Sequence, residues 1–360
     1  MNFKKSFIIA EAGKNFIQTK RKKTVAEYLA NAKELALQAK ECGADAVKFQ
    51  THRYQDEQLN IKVTSPHFKA KDRYAWVKFN TEITPYDKFW KPLKKYCDQI
   101  GIDFFSTPMS RGAAVILNKL GIELWKVGSG DILDFVMLDY IAQTKKPLII
   151  SCGMSTLEET DLMVNFLKIR KVDFTLMHCV SRYPCPPRDL NLATIEFLKK
   201  RCRVPIGFSD HSLSIDSVLS AVSLGACVIE KHFSVSRDMW GSDHKTSLTP
   251  HEFRRLANSI RNLEQGKMRL AKKTVNKFYG KEGKHLQDKE TVFRSFFRKS
   301  LIAGQPINIG TIIKPAMIFA MRPQAFVKGI PSEDYEKLLG RVTVKKIKKY
   351  EPFTWNLFKI

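Results

Sequence analysis

Eight short runs of β-branched and aromatic residues alternate with helical stretches along this chain. They cover residues 7–10, 46–50, 104–106, 124–127, 147–151, 174–178, 204–209 and 227–232. A strand that is followed by a helix pairs in parallel with the next strand, because the helix carries the chain back over the sheet. Eight such units close into a (β/α)8 barrel of about 250 residues. The pattern therefore predicts an α/β fold, a TIM barrel, over residues 1–268.

The first predicted helix carries clear start and stop signals. Thr24 and Glu27 form a T-x-x-E capping box, which satisfies two backbone amide groups that would otherwise lack a partner. Gly43 supplies the stop. Apolar residues between them recur at i, i+3, i+4 and i+7, so one face of the helix is expected to pack on the sheet.

The remainder of the chain is predicted to form two smaller units. Residues 269–291 are polar and lack an apolar period, which is typical of a linker. Residues 292–360 contain the runs KSLIA, FAMRP and VTVKKI between glycine or proline turns, which predicts a small β-rich domain. A domain of this size is expected to pack against a partner surface. A charged and aromatic insert at 53–85 is expected to cover the upper face of the barrel.

Cysteine usage and charge narrow the class of protein. The seven cysteines form no CxxC pair, and their odd number indicates reduced thiols and a cytoplasmic protein. The net charge of +25 fits either a nucleic-acid surface or an enzyme with small anionic substrates. Because the basic residues are spread along the chain, the second reading is favoured, and we expect neither a nucleic-acid nor a membrane partner.

Polar residues end nearly every predicted strand. In order, they are Glu11, Lys48 with Gln50, Ser106 with Thr107, Lys126 with Ser129, Ser151, His178, Ser209 with Asp210 and His211, and Glu230 with His232. Active sites of (β/α)8 barrels lie at the carboxyl ends of the strands. Burying these charges without partners in an apolar core would cost several kcal/mol. The pattern therefore predicts that they line a solvent-accessible, functional cavity.

Two histidines predict a metal site. His211 and His232 end the seventh and eighth strands, which are neighbours in a barrel, so both imidazoles can reach one divalent ion. Either histidine alone would more often be structural. His178 is a candidate third ligand, and a buried, hydrogen-bonded role is an equally good interpretation.

Two lysines predict an anion site. Lys48 and Lys126 lie inside strand ends, where hydroxyl groups and the glycines of VGSGD allow a phosphate and a carboxylate to bind. The hydroxyl groups belong to Thr107, Ser129 and Ser209. Glu11 is a candidate general base or hydroxyl binder, with an ion pair to Lys48 as the structural alternative.

Eight motifs, in this order along the barrel, resemble the sialic acid synthase family. They are AEAGKN, ADAVKFQTH, FFSTPMSR, WKVGSGD, SCGMST, GFSDHS, VIEKHF and GSDHKTSLTP. The segment KSLIAGQPINIGTIIKPAMIFAMRP resembles the antifreeze-like (SAF, β-clip) domain of those enzymes.

The resemblance implies that phosphoenolpyruvate condenses with an N-acylated mannosamine-type aldehyde to give a nine-carbon 2-keto acid and phosphate. It implies phosphoenolpyruvate contacts for Lys48, Thr107, Lys126, Ser129 and Ser209, and catalytic roles for Glu11 and Asp131. It implies sugar contacts for Gln50, Tyr183, Asp243 and Arg322, and a metal held by His211 and His232. Manganese is the expected ion, with magnesium or cobalt as alternatives.

The family pattern also implies a domain-swapped homodimer, in which Arg322 comes from the other subunit. The chain departs from the pattern at Phe16, at Asp131 in place of a glutamate, at Ser181 in place of an asparagine and at 324–326. Two other functions stay open at this point. One is a different metal-dependent barrel lyase or aldolase, and the other is a basic protein that binds polysaccharide or nucleic acid.

Overall fold

A computed structural model describes residues 4–64 and 72–359, and its main feature is a nearly closed barrel of eight parallel strands. The hydrogen-bonded order is β3-β2-β1-β8-β7-β6-β5-β4, and β3 contacts β4 to complete the circle. The strands are β1 Phe7–Gly13, β2 Ala46–Thr51, β3 Asp103–Pro108, β4 Trp125–Val127, β5 Leu148–Ser151, β6 Phe174–Cys179, β7 Ile206–Asp210 and β8 Val228–His232. Each predicted run overlaps one strand, which confirms the predicted TIM-type fold.

Helices cover the outside of the barrel and connect it to the C-terminal module. They are α1 Val25–Glu41, α2 Tyr54–Glu57, α3 Arg73–Ile83, α4 Lys91–Ile100, α5 Arg111–Lys119, α6 Phe135–Gln143, α7 Leu157–Ile169, α8 Ala193–Cys202, α9 Ile215–Ser223, α10 Pro250–Glu264, α11 Lys272–Tyr279, α12 Asp288–Phe297 and α13 Tyr335–Leu338. The capping box at Thr24 and Glu27 is present, and Gly43 has a φ of +86° just after α1. Each described helix is too short or too polar to span a lipid bilayer.

The interior of the barrel changes from apolar to polar along each strand. Its lower layer is a cluster of buried side chains contributed by Ile9, Ala46, Phe105, Ile149, Met177 and Val228. Side chains two positions apart on a strand point to the same face. The residues two positions further along these strands are Glu11, Lys48, Thr107, Ser151, Cys179 and Glu230. The same period that builds the core therefore places polar groups directly above it.

The predicted linker at 269–291 contains regular structure. It holds α11 and the first residues of α12. Phe278 is 1% exposed, and its carbonyl accepts a hydrogen bond from the Leu192 backbone amide at 3.0 Å. The ring of Phe278 is the buried side chain of α11 and anchors this helix on the barrel. One buried residue does not produce a periodic apolar pattern in the sequence. The division of the chain into domains stays a prediction.

The C-terminal module is β-rich and packs against the barrel of the same chain. Strands β9 Ser300–Ala303 and β10 Ile318–Met321 pair antiparallel. The predicted strand VTVKKI forms only single bridges, such as Ile307 with Ile347. Lys299 Nζ lies 2.7 Å from Asp134 Oδ2, and Ser332 Oγ donates to the Leu133 carbonyl at 2.8 Å. These contacts give the small module the additional surface that its size requires.

Candidate active site

An open cavity of roughly 1000 Å³ lies at the carboxyl ends of the barrel strands. All thirteen residues to which the family resemblance assigned site roles line it. They are Glu11, Lys48, Gln50, Thr107, Lys126, Ser129, Asp131, Tyr183, Ser209, His211, His232, Asp243 and Arg322. The structure therefore brings the residues together, while the role of each one stays a prediction.

Lys48 lies at the centre of a buried ionic cluster. Strand register pairs Glu11 with Lys48, and Lys48 Nζ lies 2.6 Å from Glu11 Oε2 and 3.6 Å from Glu230 Oε1. It also donates to Thr107 Oγ1 at 3.1 Å. Burial alone would lower the pKa of Lys48, but the charges of Glu11 and Glu230 outweigh it and raise the pKa. Lys48 is therefore a permanent cation in the cavity.

The buried positive charge of Lys126 is compensated less well than that of Lys48. Its ammonium group donates to Ser151 Oγ at 2.8 Å and lies 3.6 Å from Glu230 Oε2. Burial lowers the pKa of Lys126, and the attraction of Glu230 only partly opposes this effect. An anionic ligand in the cavity would supply the missing negative charge.

The two buried carboxyl groups of the cluster have opposite proton affinities. Burial raises the pKa of Glu11 despite the nearby Lys48, and the charge of Glu230 raises it further. Although burial opposes the change, Lys126 and Lys48 lower the pKa of Glu230 to about 2. Gln50 Nε2 donates to Glu11 Oε1 at 2.8 Å and orients the carboxyl group. Glu11 is thus the better proton carrier, and Glu230 is a fixed anion.

His211 and His232 face the same part of the cavity. Their ring centroids are 5.5 Å apart, and the centroid of the Tyr183 ring lies 4.0 Å from that of His211 with the two planes tilted by 34°. His211 Nδ1 lies 2.8 Å from the Val180 carbonyl oxygen. In the neutral ring, donation of the Nδ1 proton to that oxygen leaves the Nε2 lone pair available. Burial lowers the pKa of His232 to about 4, so its ring is neutral at pH 7.

These two rings fit a shared divalent ion. A metal–nitrogen bond of about 2.1 Å places each ring centroid roughly 3.3 Å from the ion, so centroids 5.5 Å apart can share it. The described residues contain no cluster of three or more histidine, cysteine or acidic side chains with metal-site geometry. Two imidazoles would therefore be the protein ligands, and substrate or water oxygens would complete the coordination.

His178 is not part of the cavity, which rules out the role of third ligand. It follows Met177, whose side chain points into the barrel, so the His178 side chain points outward. Its Nε2 lies 2.7 Å from the Leu190 carbonyl oxygen, and its ring stacks on Phe208. The structural interpretation of this histidine is the right one.

Asp131 lies between two cations of the C-terminal part of the chain. Its carboxylate accepts a hydrogen bond from Arg322 and lies 2.8 Å from Lys299 Nζ. Arg322 is fully buried, and its Nη1 also lies 3.4 Å from Glu57 Oε1. These contacts hold the Asp131 carboxylate in a buried ion-pair network with Arg322 and Lys299.

The contact between Arg322 and Asp131 forms within one chain. The resemblance implied that Arg322 comes from a second subunit, and the dimer stays a prediction. In the structure, the small C-terminal module places Arg322 in the cavity of its own chain.

The insert at 53–85 contributes side chains that the sequence analysis did not assign to the site. Arg73, at the start of α3, is 4% exposed and lines the cavity. The Phe297 ring lies 5.3 Å from the guanidinium carbon of Arg73 and 5.0 Å from that of Arg322. A side chain at Gly130 would come within 2.8 Å of this ring, so the glycine allows Phe297 to cover the cavity.

Two further residues line the cavity. Lys14 was not predicted there, and Glu230 was predicted at a strand end without a specific role. Glu230 had a usable signal, because it lies between inward-facing Val228 and His232 on β8. Lys14 follows a strand in a loop, and Arg73 lies in an insert, so no periodic pattern marks them.

Comparison with known proteins shows the family of this chain. The model of the NeuB family matches residues 35–271, about two thirds of the sequence. The chain belongs to the NeuB family. A second model, that of the SAF domain, matches residues 298–359, which confirms the resemblance seen in the C-terminal segment.

Relatives match nearly the whole length of this NeuB family member. An uncharacterized protein of Methanocaldococcus jannaschii is 38% identical and covers 93% of this chain and 89% of its own. N,N'-diacetyllegionaminic acid synthase of Campylobacter jejuni is 32% identical and covers 97% of this chain and 98% of its own. The crystal structure of a spore coat polysaccharide biosynthesis protein of Bacillus subtilis superposes with a TM-score of 0.76, at 28% identity over 99% of this chain and 96% of that one.

Proposed function

We propose that this chain condenses phosphoenolpyruvate with an N-acylated mannosamine-type aldehyde, with addition of one water molecule, to give a nine-carbon 2-keto acid and inorganic phosphate. One observation carries the proposal. The barrel cavity holds two buried lysines beside two imidazoles that can share an ion. This arrangement provides a site for a multiply charged anion next to a site for a metal-bound carbonyl oxygen. Membership of the NeuB family supports the same reaction class.

In this proposal, phosphoenolpyruvate binds at the lysine side of the cavity. Lys48 and Lys126 neutralise its phosphate and carboxylate groups, and the surrounding hydroxyl groups orient them. These hydroxyl groups belong to Thr107, Ser129 and Ser209. Binding of the anion also compensates the buried charge of Lys126. The anion therefore favours the protonated form of Lys126, and the protonated lysine binds the anion more tightly.

The aldehyde binds at the histidine side. His211 and His232 would hold a divalent ion, manganese in our proposal, and that ion would supply Lewis-acid polarisation of the aldehyde carbonyl. Glu11, whose pKa is raised by burial, is suited to carry a proton to or from the reacting oxygen or water. Gln50, Tyr183, Asp243 and Arg322 are proposed to contact the sugar hydroxyl and acylamino groups.

Product analysis tests the reaction directly. We expect the purified protein, with manganese and phosphoenolpyruvate, to release phosphate only when an N-acylated hexosamine is present. Mass spectrometry should find an acid equal in mass to the sugar plus pyruvate. Omission of the sugar and chelation of the metal are the controls. Phosphate release without sugar, or with a different aldehyde only, would assign the chain to another barrel lyase or aldolase.

We also propose a homodimer in which Arg322 of one subunit completes the cavity of the other. Co-expression of the His211→Ala and Arg322→Ala variants tests this exchange. A swapped heterodimer contains one intact site, so random pairing should restore about a quarter of the wild-type activity. Each variant expressed alone is the control. No recovery would overturn the exchange and leave each chain to complete its own cavity.

A cytoplasmic location is part of the proposal. All seven cysteines are free thiols in the structure, six of them buried, which fits a reducing compartment.

A further inference from the structure

A buried ion pair lies directly behind the two histidines of the proposed metal site. Asp210 ends β7, just before His211, and Lys231 lies on β8, just before His232. Strand register makes Asp210 and Lys231 partners across the sheet. Neighbouring residues of a strand point to opposite faces, so this pair faces the surrounding helices while the histidines face the cavity. Lys231 Nζ lies 2.6 Å from Asp210 Oδ2, and both side chains are fully buried. The pair therefore links the two strand ends that carry the histidines.

The carboxylate of Asp210 holds the turn that carries His211. Its Oδ1 accepts a hydrogen bond from the Ser212 backbone amide at 2.7 Å, which closes an Asx-type turn around His211. Its Oδ2 accepts hydrogen bonds from the hydroxyl groups of Ser212 at 3.0 Å and Ser217 at 2.7 Å. Ser217 lies in the first turn of α9, so the same carboxylate connects the strand end, the turn and the next helix.

The ammonium group of Lys231 holds the same turn from the neighbouring strand. It donates hydrogen bonds to the Ser212 carbonyl oxygen at 2.6 Å and to the Ser214 carbonyl oxygen at 3.3 Å. With the contact to Asp210, each of the three ammonium protons has an acceptor. Because Lys231 is adjacent to His232 on β8, a shift of the turn relative to that strand would break these hydrogen bonds.

A buried ion pair of this kind contributes a defined geometry more than it contributes stability. Two apolar side chains of similar volume often fill such a site with no loss of stability, or with a gain. A charged pair whose protons and oxygens are engaged by hydrogen bonds instead favours one arrangement of the groups around it. Here those groups belong to the backbone next to His211 and His232. Their rings must present nitrogen atoms to one ion at about 2.1 Å, with a tolerance of roughly 0.2 Å.

We propose that Asp210 and Lys231 are positioning residues for the metal site, and that their ion pair sets the separation of His211 and His232. The inference rests on the proposed function, because the ion concerned is the one that the two histidines would hold there. The Val180 carbonyl oxygen, 2.8 Å from His211 Nδ1, orients the ring itself. The ion pair acts on the backbone that carries the ring.

Manganese binding to the metal-free protein tests this inference without reference to turnover. Lys231→Met leaves the Asp210 carboxylate buried without its counter-charge, whereas the double variant Asp210→Asn/Lys231→Met is neutral at both positions. The midpoint of thermal unfolding should fall in the single variant and recover in the double variant. The Kd for manganese, measured by calorimetry, should rise about 10- to 100-fold in both, because neither variant ties the turn to β8.

Arg170→Met is the matched control. It breaks the ion pair in which Arg170 Nε lies 2.9 Å from Asp139 Oδ1, in the helical layer outside the barrel. This variant should lower the midpoint of thermal unfolding and leave the manganese affinity at the wild-type value.

The outcomes separate this inference from the proposed function. Wild-type manganese affinity in the double variant would overturn the positioning role, since the pair would then serve only the stability of the fold, and the metal site would stand. Absence of manganese binding by the wild-type protein would overturn the metal site and this inference with it. If Lys231→Met does not fold, the double variant alone decides.

Discussion

Replacing His232 with alanine is expected to lower the rate of phosphate release by about 10³-fold or more, and His211→Ala should do the same. Both rings line one cavity with centroids 5.5 Å apart, and neither ring can hold the ion in the proposed geometry without the other. Loss of carbonyl polarisation removes several kcal/mol of transition-state stabilisation. Initial rates of phosphate release, with manganese binding measured by calorimetry, check the prediction.

His251→Ala provides the control for these variants. His251 is an exposed residue of α10, so its loss should change neither rate nor manganese affinity. Circular dichroism and thermal unfolding establish that the variants are folded. Wild-type activity in both His211→Ala and His232→Ala would end the metal proposal.

Lys48→Met is expected to have the second large effect, because it affects both ligand binding and folding. The variant loses a cation that contacts phosphoenolpyruvate in our proposal, and kcat/KM for that substrate should fall by about 10³-fold. It also leaves Glu11 and Glu230 without their shared counter-charge. Breaking a buried pair in this way typically costs about 3–5 kcal/mol in free energy of unfolding. Urea denaturation and steady-state kinetics measure the two effects separately.

The loss of stability in Lys48→Met should depend on pH with a defined sign. Burial and the charge of Glu230 raise the pKa of Glu11, and removal of Lys48 can only raise it further. A carboxyl group whose folded pKa exceeds its unfolded pKa favours the folded state at low pH and loses that contribution as pH rises. The destabilisation relative to wild type should therefore be smaller at pH 5 than at pH 8. Lys345→Met, which removes an exposed lysine, should show neither effect. A destabilisation that grows toward pH 5 would contradict this account of Lys48.

Local patterns were sufficient to predict the barrel and most of its cavity. Each strand is recognisable from its own few residues, and the cap of α1 forms among Thr24, Glu27 and the backbone between them. The carboxyl ends of all the barrel strands lie at the same face of the barrel. Lys48, Lys126 and His232 could therefore be assigned to one cavity from the strand order. Strand period, applied strictly, would also have excluded His178.

Tertiary structure alone decided which distant segments complete the cavity. Arg73 comes from an insert without a regular period, and Arg322 reaches Asp131 across 191 positions of sequence. The short helix α11 forms because Phe278 finds a buried site, and its own sequence gives no such signal. Contacts of this kind depend on how the insert and the small module pack on the barrel. Sequence periodicity reports only which face of an element a residue occupies. The strands and their polar ends were therefore determined locally, while the part of the cavity lined by Arg73 and Arg322 was determined by packing.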